Sequence, residues 1–526
     1  MISQSSQKLI QRYISWYQSL QPKEGVATIH VDEVASKVAA FYEKIRGIID
    51  WREEHLLRKA AIERHLKRRL ILNTNGEDVA SHLVLELIRG GHFPNDKIEE
   101  SKIGEVKKII DKYVFILENS STPSREKLKI QLQNWLLELA SCEIEETLSP
   151  HQKENTQMEY MMENILERIE VKNGISEEEK KTQIYIAIQK ALFKLDKPLI
   201  SYNLLKGLYP AWANLVRPLL EEITKNIYSI WESIEKDLRH PLAEKFYRVC
   251  EQYDTSYLIL GDILSQEPMK IQEKIQNPEI LENTIRDAYN KRLKQLKSGL
   301  KRAAIYTTIS IFVTKMLLVF AIEIPFDKYV TNEFNLFTLG LNIFIPPALM
   351  FFLVLTIHPP RKENLSKVIL EVMKIVYEQK TKDKYLITSR LKRGLILKSI
   401  IFLFYLLTFL VSFGLIWWVL SQLGFGILSK IIFLIFVSLI SFAGVKIRER
   451  AKELQVEIDK GNFFTFFMDT FSLPFIQMGR WLSAELAKYN VIVVFFNFLI
   501  DMPFQIFVEF LEQWRYFLKE KREEIH

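Results

Sequence analysis

The chain has 526 residues, a formal net charge of +7 and a hydrophobic fraction of 48%, with a mean hydropathy of +0.00. That average excludes both an ordinary soluble domain and a bundle made only of membrane helices, because it joins two unlike parts: up to about Arg302 the sequence is dense in Lys, Glu and Arg, and beyond it long Phe, Ile and Leu runs dominate. Cys142 and Cys250 lie far apart and offer neither a disulfide framework nor a zinc pattern, which fits two buried free thiols in a reducing compartment.

Met1 to Leu20 reads as a helix with Leu9, Ile10, Tyr13, Ile14 and Tyr17 on one side. It does not read as a cleavable signal peptide, so the N-terminus is expected to stay where it was made. From Asp32 to Leu72 one long helix is predicted, about 60 Å in length at about 1.5 Å per residue. Val34, Val38, Phe41, Ile45 and Ile48 form a short heptad seam, which serves either within a bundle or as a coiled coil with a second copy.

The same helix carries a basic tract of Arg58, Lys59, Arg64, Lys67, Arg68 and Arg69, interleaved with Glu53, Glu54 and Glu63. Internal ion pairs on a solvated face are its expected use. Anionic lipid comes next, and nucleic acid is not expected. His55 and His65 stand about 15 Å apart along the helix axis and cannot share an ion, so neither a metal site nor a cofactor is expected.

Helices over 77–88, 103–117 and 125–146 follow, ended by Gly90-Gly91, by the turn from Asn119 to Pro123 and by Pro150. Ser176 and Glu179 make a capping box for the next apolar run. The fold class expected is all-α: a cytoplasmic helical region over 1–300, four transmembrane helices over 301–446, and C-terminal amphipathic or re-entrant helices over 447–526.

A bilayer core needs about 20 mostly apolar residues in helical form. The four spans predicted are 303–324, 337–357, 399–420 and 427–445. Lys and Arg crowd the segment before the first span, the connection between the second and third, and the segment after the fourth. The positive-inside rule then places all three in the cytoplasm, in a cell (inner) membrane. Leu365, Val368, Ile369, Val372 and Ile375 line one face of a helix expected to lie on the cytoplasmic membrane surface. The apolar stretches 463–478 and 491–510 are interrupted by charges. Asp501, near the centre of the second, favours interfacial or re-entrant placement, or burial against the cytoplasmic region, over a fifth span.

Charges inside spans are the sharpest chemical signal. Lys315 sits near the middle of the first span, and Glu323, eight residues on, lies about 80° further round the helix. The two are expected to face a common interior without touching directly. Lys315 would then pair with Asp501, or reach Glu323 through a neighbouring helix or water. Pro346-Pro347 in mid-span is either a packed kink or one wall of a small cavity. Pro325, Pro474 and Pro503, each followed by Phe, are expected to bend or end helices, setting span ends with the phenylalanines as interface anchors.

No Walker-type loop, dinucleotide fingerprint or nucleophile elbow occurs. The function expected is a non-enzymatic membrane-anchored helical scaffold or partner-binding protein. Its partners would be the lipid bilayer and either a homo-oligomer or a cytoplasmic protein. The alternative is a transporter or channel-like protein using Lys315 and Glu323. A scaffold is expected to tolerate Lys315→Met and to retain a folded region 1–290.

Overall fold

The computed structural model describes residues 2–21, 25–31, 37, 54–72, 76–120, 125–172, 175–331, 335–377, 384–388, 394–456, 463–488 and 502–523. The heptad seam at 34–48 and the carboxylate of Asp501 lie outside the described residues, as does the side chain of His55.

The N-terminal part is a body of helices around two cores. Helices α1 (Gln4–Ser19), α2 (Glu54–Leu72), α3 (Gly76–Arg89), α4 (Ser101–Asn119), α5 (Glu126–Leu148) and α6 (Gln152–Leu166) come first. Strand β1 (Ile169–Lys172) follows, then α7 (Glu177–Phe193), α8 (Lys197–Leu208), α9 (Arg217–Leu238), α10 (Ala243–Gln266) and α11 (Ile271–Gln276). Their ends follow the sequence signals. Gly91 takes a φ of +72° just past α3, a conformation open to glycine at little cost. The Ser176 side chain accepts from the Glu179 N–H at the start of α7, while Glu179 accepts from Ser176 N–H in return.

The first core gathers Ile62, Leu83, Leu87, Ile110 and Leu136 from α2 to α5, with Trp212 between α8 and α9. Within it Lys112 donates to Glu143 at 2.6 Å, and the Trp212 indole and Tyr113 hydroxyl donate to the same carboxylate at 2.9 and 3.0 Å. A buried pair satisfied on every side in this way fixes which helices meet more than it adds net stability.

The second core does more to position the rest. It holds Leu9, Tyr13, Phe246 and Tyr257 of the body together with Val368, Val372, Ile375 and Val376 of α14 (Glu363–Val376). The apolar face of α14 is therefore buried in protein and does not lie on a membrane surface as its amphipathic pattern suggested. The strand after it, β2 (Tyr385–Thr388), pairs in parallel with β1, Ile169 opposite Tyr385. Ser3 N–H donates to the Val376 carbonyl at 3.0 Å, and Arg168 pairs with Glu371 at 3.0 Å. The division of the sequence at residue 300 thus passes through one continuous core.

Among the described residues, four helices are long and apolar enough to cross a membrane: α12, which starts at Pro278 and runs on to Val330, α13 (Leu336–Leu355), α15 (Leu395–Gln422) and α16 (Ile427–Ala451). Helix α12 does not stop at Pro325. The chain continues through π-helical turns at Val319–Glu323 and Asp327–Thr331, because a wider turn accommodates a missing N–H that an α-turn leaves as a break.

Asn364, at the start of α14, donates to Tyr289 Oη at 3.0 Å and to the Leu454 carbonyl, and accepts from Val456 N–H at 3.0 Å. The N-terminal part of α12, the segment between α13 and α15, and the segment after α16 therefore meet at one end of the bundle.

Helix α17 (Phe463–Lys488) packs against α15 and α16, not on the body. Phe475 meets Phe413 at 4.4 Å between ring centroids, and Ser412 Oγ donates to the Phe471 carbonyl at 3.0 Å. Gly479 lies so close to the Ser438 carbonyl that any side chain there would meet backbone. Pro474 sits inside this helix, not at its end.

Asp254, buried on α10, links the body to the end of α16. Its Oδ1 accepts from Thr255 Oγ1 at 3.1 Å, and Thr255 also donates to the Glu453 carbonyl at 3.0 Å. Burial pushes its carboxyl up to about 7, against the opposing pull of Lys194 and of the Thr255 hydrogen bond. A folded-state value above the unfolded one means that unfolding releases a proton between pH of about 4 and about 7, so stability falls as pH rises through that window. Asp254→Asn is expected to raise Tm by about 2 °C or more at pH 8 and to change it little at pH 4, as followed by thermal melting in detergent.

Candidate functional site

The site starts from a register change. Eight residues at about 100° each leave Glu323 about 80° past Lys315, but a π turn takes in one extra residue and so offsets roughly 100°. That brings the two side chains onto one face. Lys315 Nζ donates directly to Glu323 Oε1 at 2.6 Å, and both side chains are 0% exposed. The expectation that they do not touch is therefore corrected: Glu323 is the lysine's partner among the described residues, and the expected Asp501 partner lies outside them.

Two more helices complete the centre. Asn342 of α13 donates from Nδ2 to Glu323 Oε2, and Ser429 of α16 donates to the same oxygen at 2.7 Å. The Phe436 ring, also on α16, lies 5.4 Å from Lys315 Nζ and closes the site with a cation–π contact. Asn342, Ser429, Lys315 and Glu323 are all buried. One carboxylate thus takes donors from three of the four apolar helices.

Pro346 and Pro347 are buried inside an unbroken α13. Lacking N–H groups, they cannot give the α-helical hydrogen bond to the carbonyls of Asn342 and Ile343. The amide that holds Glu323 is therefore carried on a turn whose own backbone is short of donors. Asn342 Oδ1 is buried with no hydrogen-bond partner among the described residues.

No known protein family, curated protein or solved structure matches this chain. The site is accordingly read from its own chemistry. It holds one cation against one anion, with neutral donors around the anion, in a setting that penalises any charge left alone.

The basic tract of α2 is used inside the body. Arg58 pairs with Glu145 at 2.8 Å and Lys59 with Asp196; Lys67 pairs with Glu63 at 2.7 Å, and Arg68 and Arg69 both hold Glu86. Arg64 also has interactions within the chain. His65 is 2.8 Å from Glu86 and, as burial lowers its affinity for a proton, serves this cluster. No group of three or more His, Cys, Asp or Glu among the described residues could hold a metal ion. Cys142 and Cys250 are both buried free thiols, and burial raises the pKa of each.

Asn342, Ser429 and Phe436 escaped the sequence reading. The signal was present in Asn342, a lone amide one turn before a double proline in an otherwise apolar helix.

Proposed function

We propose that this is a multi-pass protein of a cell membrane, with its helical body on the cytoplasmic side, that acts as a non-enzymatic scaffold presenting that body to a protein partner or a second copy. The observation that carries the reading is the shared second core: Tyr289, Val372 and Leu454, from three separate flanks of the apolar helices, all bury in it. A body fixed to its spans at three points holds a defined orientation to the bilayer, which suits a platform. The same three flanks are the Lys- and Arg-rich ones, which supports a cytoplasmic placement.

A second reading is favoured by the polar centre. Charges at that depth are costly and mark ion or proton pathways in many membrane proteins, and Asn342 Oδ1 offers a buried acceptor beside the carboxylate. Purification of the full chain in detergent, with light scattering and mass spectrometry, separates the two. The scaffold reading expects a defined homo-oligomer or a stoichiometric protein complex. A lone protomer carrying only lipid overturns it and directs the work to flux assays in vesicles.

A further inference from the structure

Helix α18 (Met502–Glu523) is amphipathic, and no described helix packs along it. Phe507, Phe510, Trp514, Phe517 and Leu518 are each between 44% and 55% exposed. Projected at about 100° per residue, these positions and Leu511 fall within an arc of about 120°. Phe510, Trp514 and Phe517 also contact one another along it, with centroid distances of 6.3 and 5.9 Å.

The charged positions are sorted by sign around this arc. Lys521 falls inside this arc at its C-terminal end, over the Phe517 ring at 5.9 Å, and Arg522, Arg515 and Lys519 occupy successive positions down one flank. By the same projection the four glutamates, Glu509, Glu512, Glu520 and Glu523, share the opposite side.

We infer that α18 is a lipid-docking helix that lies in the headgroup layer of an anionic leaflet, aromatic stripe inward and basic flank against the phosphates. The charge sorting selects this occupant. A helix pairing with a second copy of itself through the stripe would bury the Lys521 ammonium among the rings, and in the antiparallel arrangement would also bring like basic flanks together. A headgroup layer satisfies both faces: large rings favour the interface, lysines and arginines beside it meet lipid phosphate, and the side of the helix that carries the glutamate positions is left to water. This rests on the membrane reading above, and the test keeps the two apart.

The full chain is reconstituted into nanodiscs of phosphatidylcholine alone and of phosphatidylcholine with phosphatidylglycerol at roughly three to one. Brominated lipid then quenches tryptophan fluorescence, and subtracting the Trp514→Phe protein isolates Trp514. Quenching of Trp514 is expected to be about twofold greater in the anionic discs. Reversing Arg515, Lys521 and Arg522 to glutamate is expected to remove that difference while the protein stays in the disc. Trp514 open to aqueous iodide in both discs overturns the inference while leaving the spans intact, as does a cross-link between copies through the stripe. A chain that does not co-elute with the discs overturns the membrane reading itself.

Discussion

Lys315→Met is expected to cost about 3–5 kcal/mol, enough to lower the yield of folded protein at least about tenfold, because it leaves Glu323 charged and unpaired in a site with no exposure. Glu323→Gln is expected to do comparable damage from the other side by stranding the ammonium against Phe436. The double substitution Lys315→Met with Glu323→Gln should recover to within about 1 kcal/mol of the parent. A glutamine oxygen still accepts from Asn342 and Ser429, and a methionine fills the volume of the lysine stem without its charge.

This revises what a scaffold is expected to tolerate. The single substitution fails whether the centre is a lock or an ion site, so only the double one discriminates. Melting temperature and monodispersity in detergent measure the recovery, and vesicle flux measures function. Recovery of fold with flux no different from the parent's, including none in either, leaves the pair a structural lock. Recovery of fold with loss of flux makes it the working site of a transporter. A single Lys315→Met protein that folds and melts like the parent would show that the pair carries no such energy.

Much of the architecture was legible because it is dictated by local composition. Runs of Phe, Ile and Leu between basic flanks gave the apolar helices to within a few residues, except that α12 runs past Pro325 through π turns no local preference announces. The same turns explain why Lys315 and Glu323 could be named as a pair of interest and still be placed about 80° apart: an α-helical projection assumes a register that one extra residue changes.

Partners far apart in sequence were the other blind spot. The tract on α2 showed that its cations needed anions, but Glu86 and Glu145 come from other helices and Asp196 from the cap of α8. The apolar face of α14 showed that something covers it. Amphipathicity says that a face is buried, and not whether lipid or protein does it.

That last ambiguity sets up the second large effect. Val372 is 0% exposed in the core shared by α14 and the body, so Val372→Asp loses the burial of a branched side chain and places a carboxylate where nothing is built to receive it. The lost burial costs about 1.5–3 kcal/mol, and the unpartnered carboxylate costs at least as much again. The expected result is release of α14 from the body with the four apolar helices still in place. Hydrogen exchange of the intact protein in detergent should show protection lost across β2 and at Ser3, whose N–H donates to the Val376 carbonyl, while the helix around Lys315 keeps its protection. Val372→Leu, which keeps the site apolar, should leave both regions protected. If instead α14 lay on lipid, the aspartate would shift it towards water and leave the body's exchange unchanged. Loss of protection in the body therefore tests whether the platform and its spans are one mechanical unit, which the scaffold reading requires and which neither half of the sequence announces by itself.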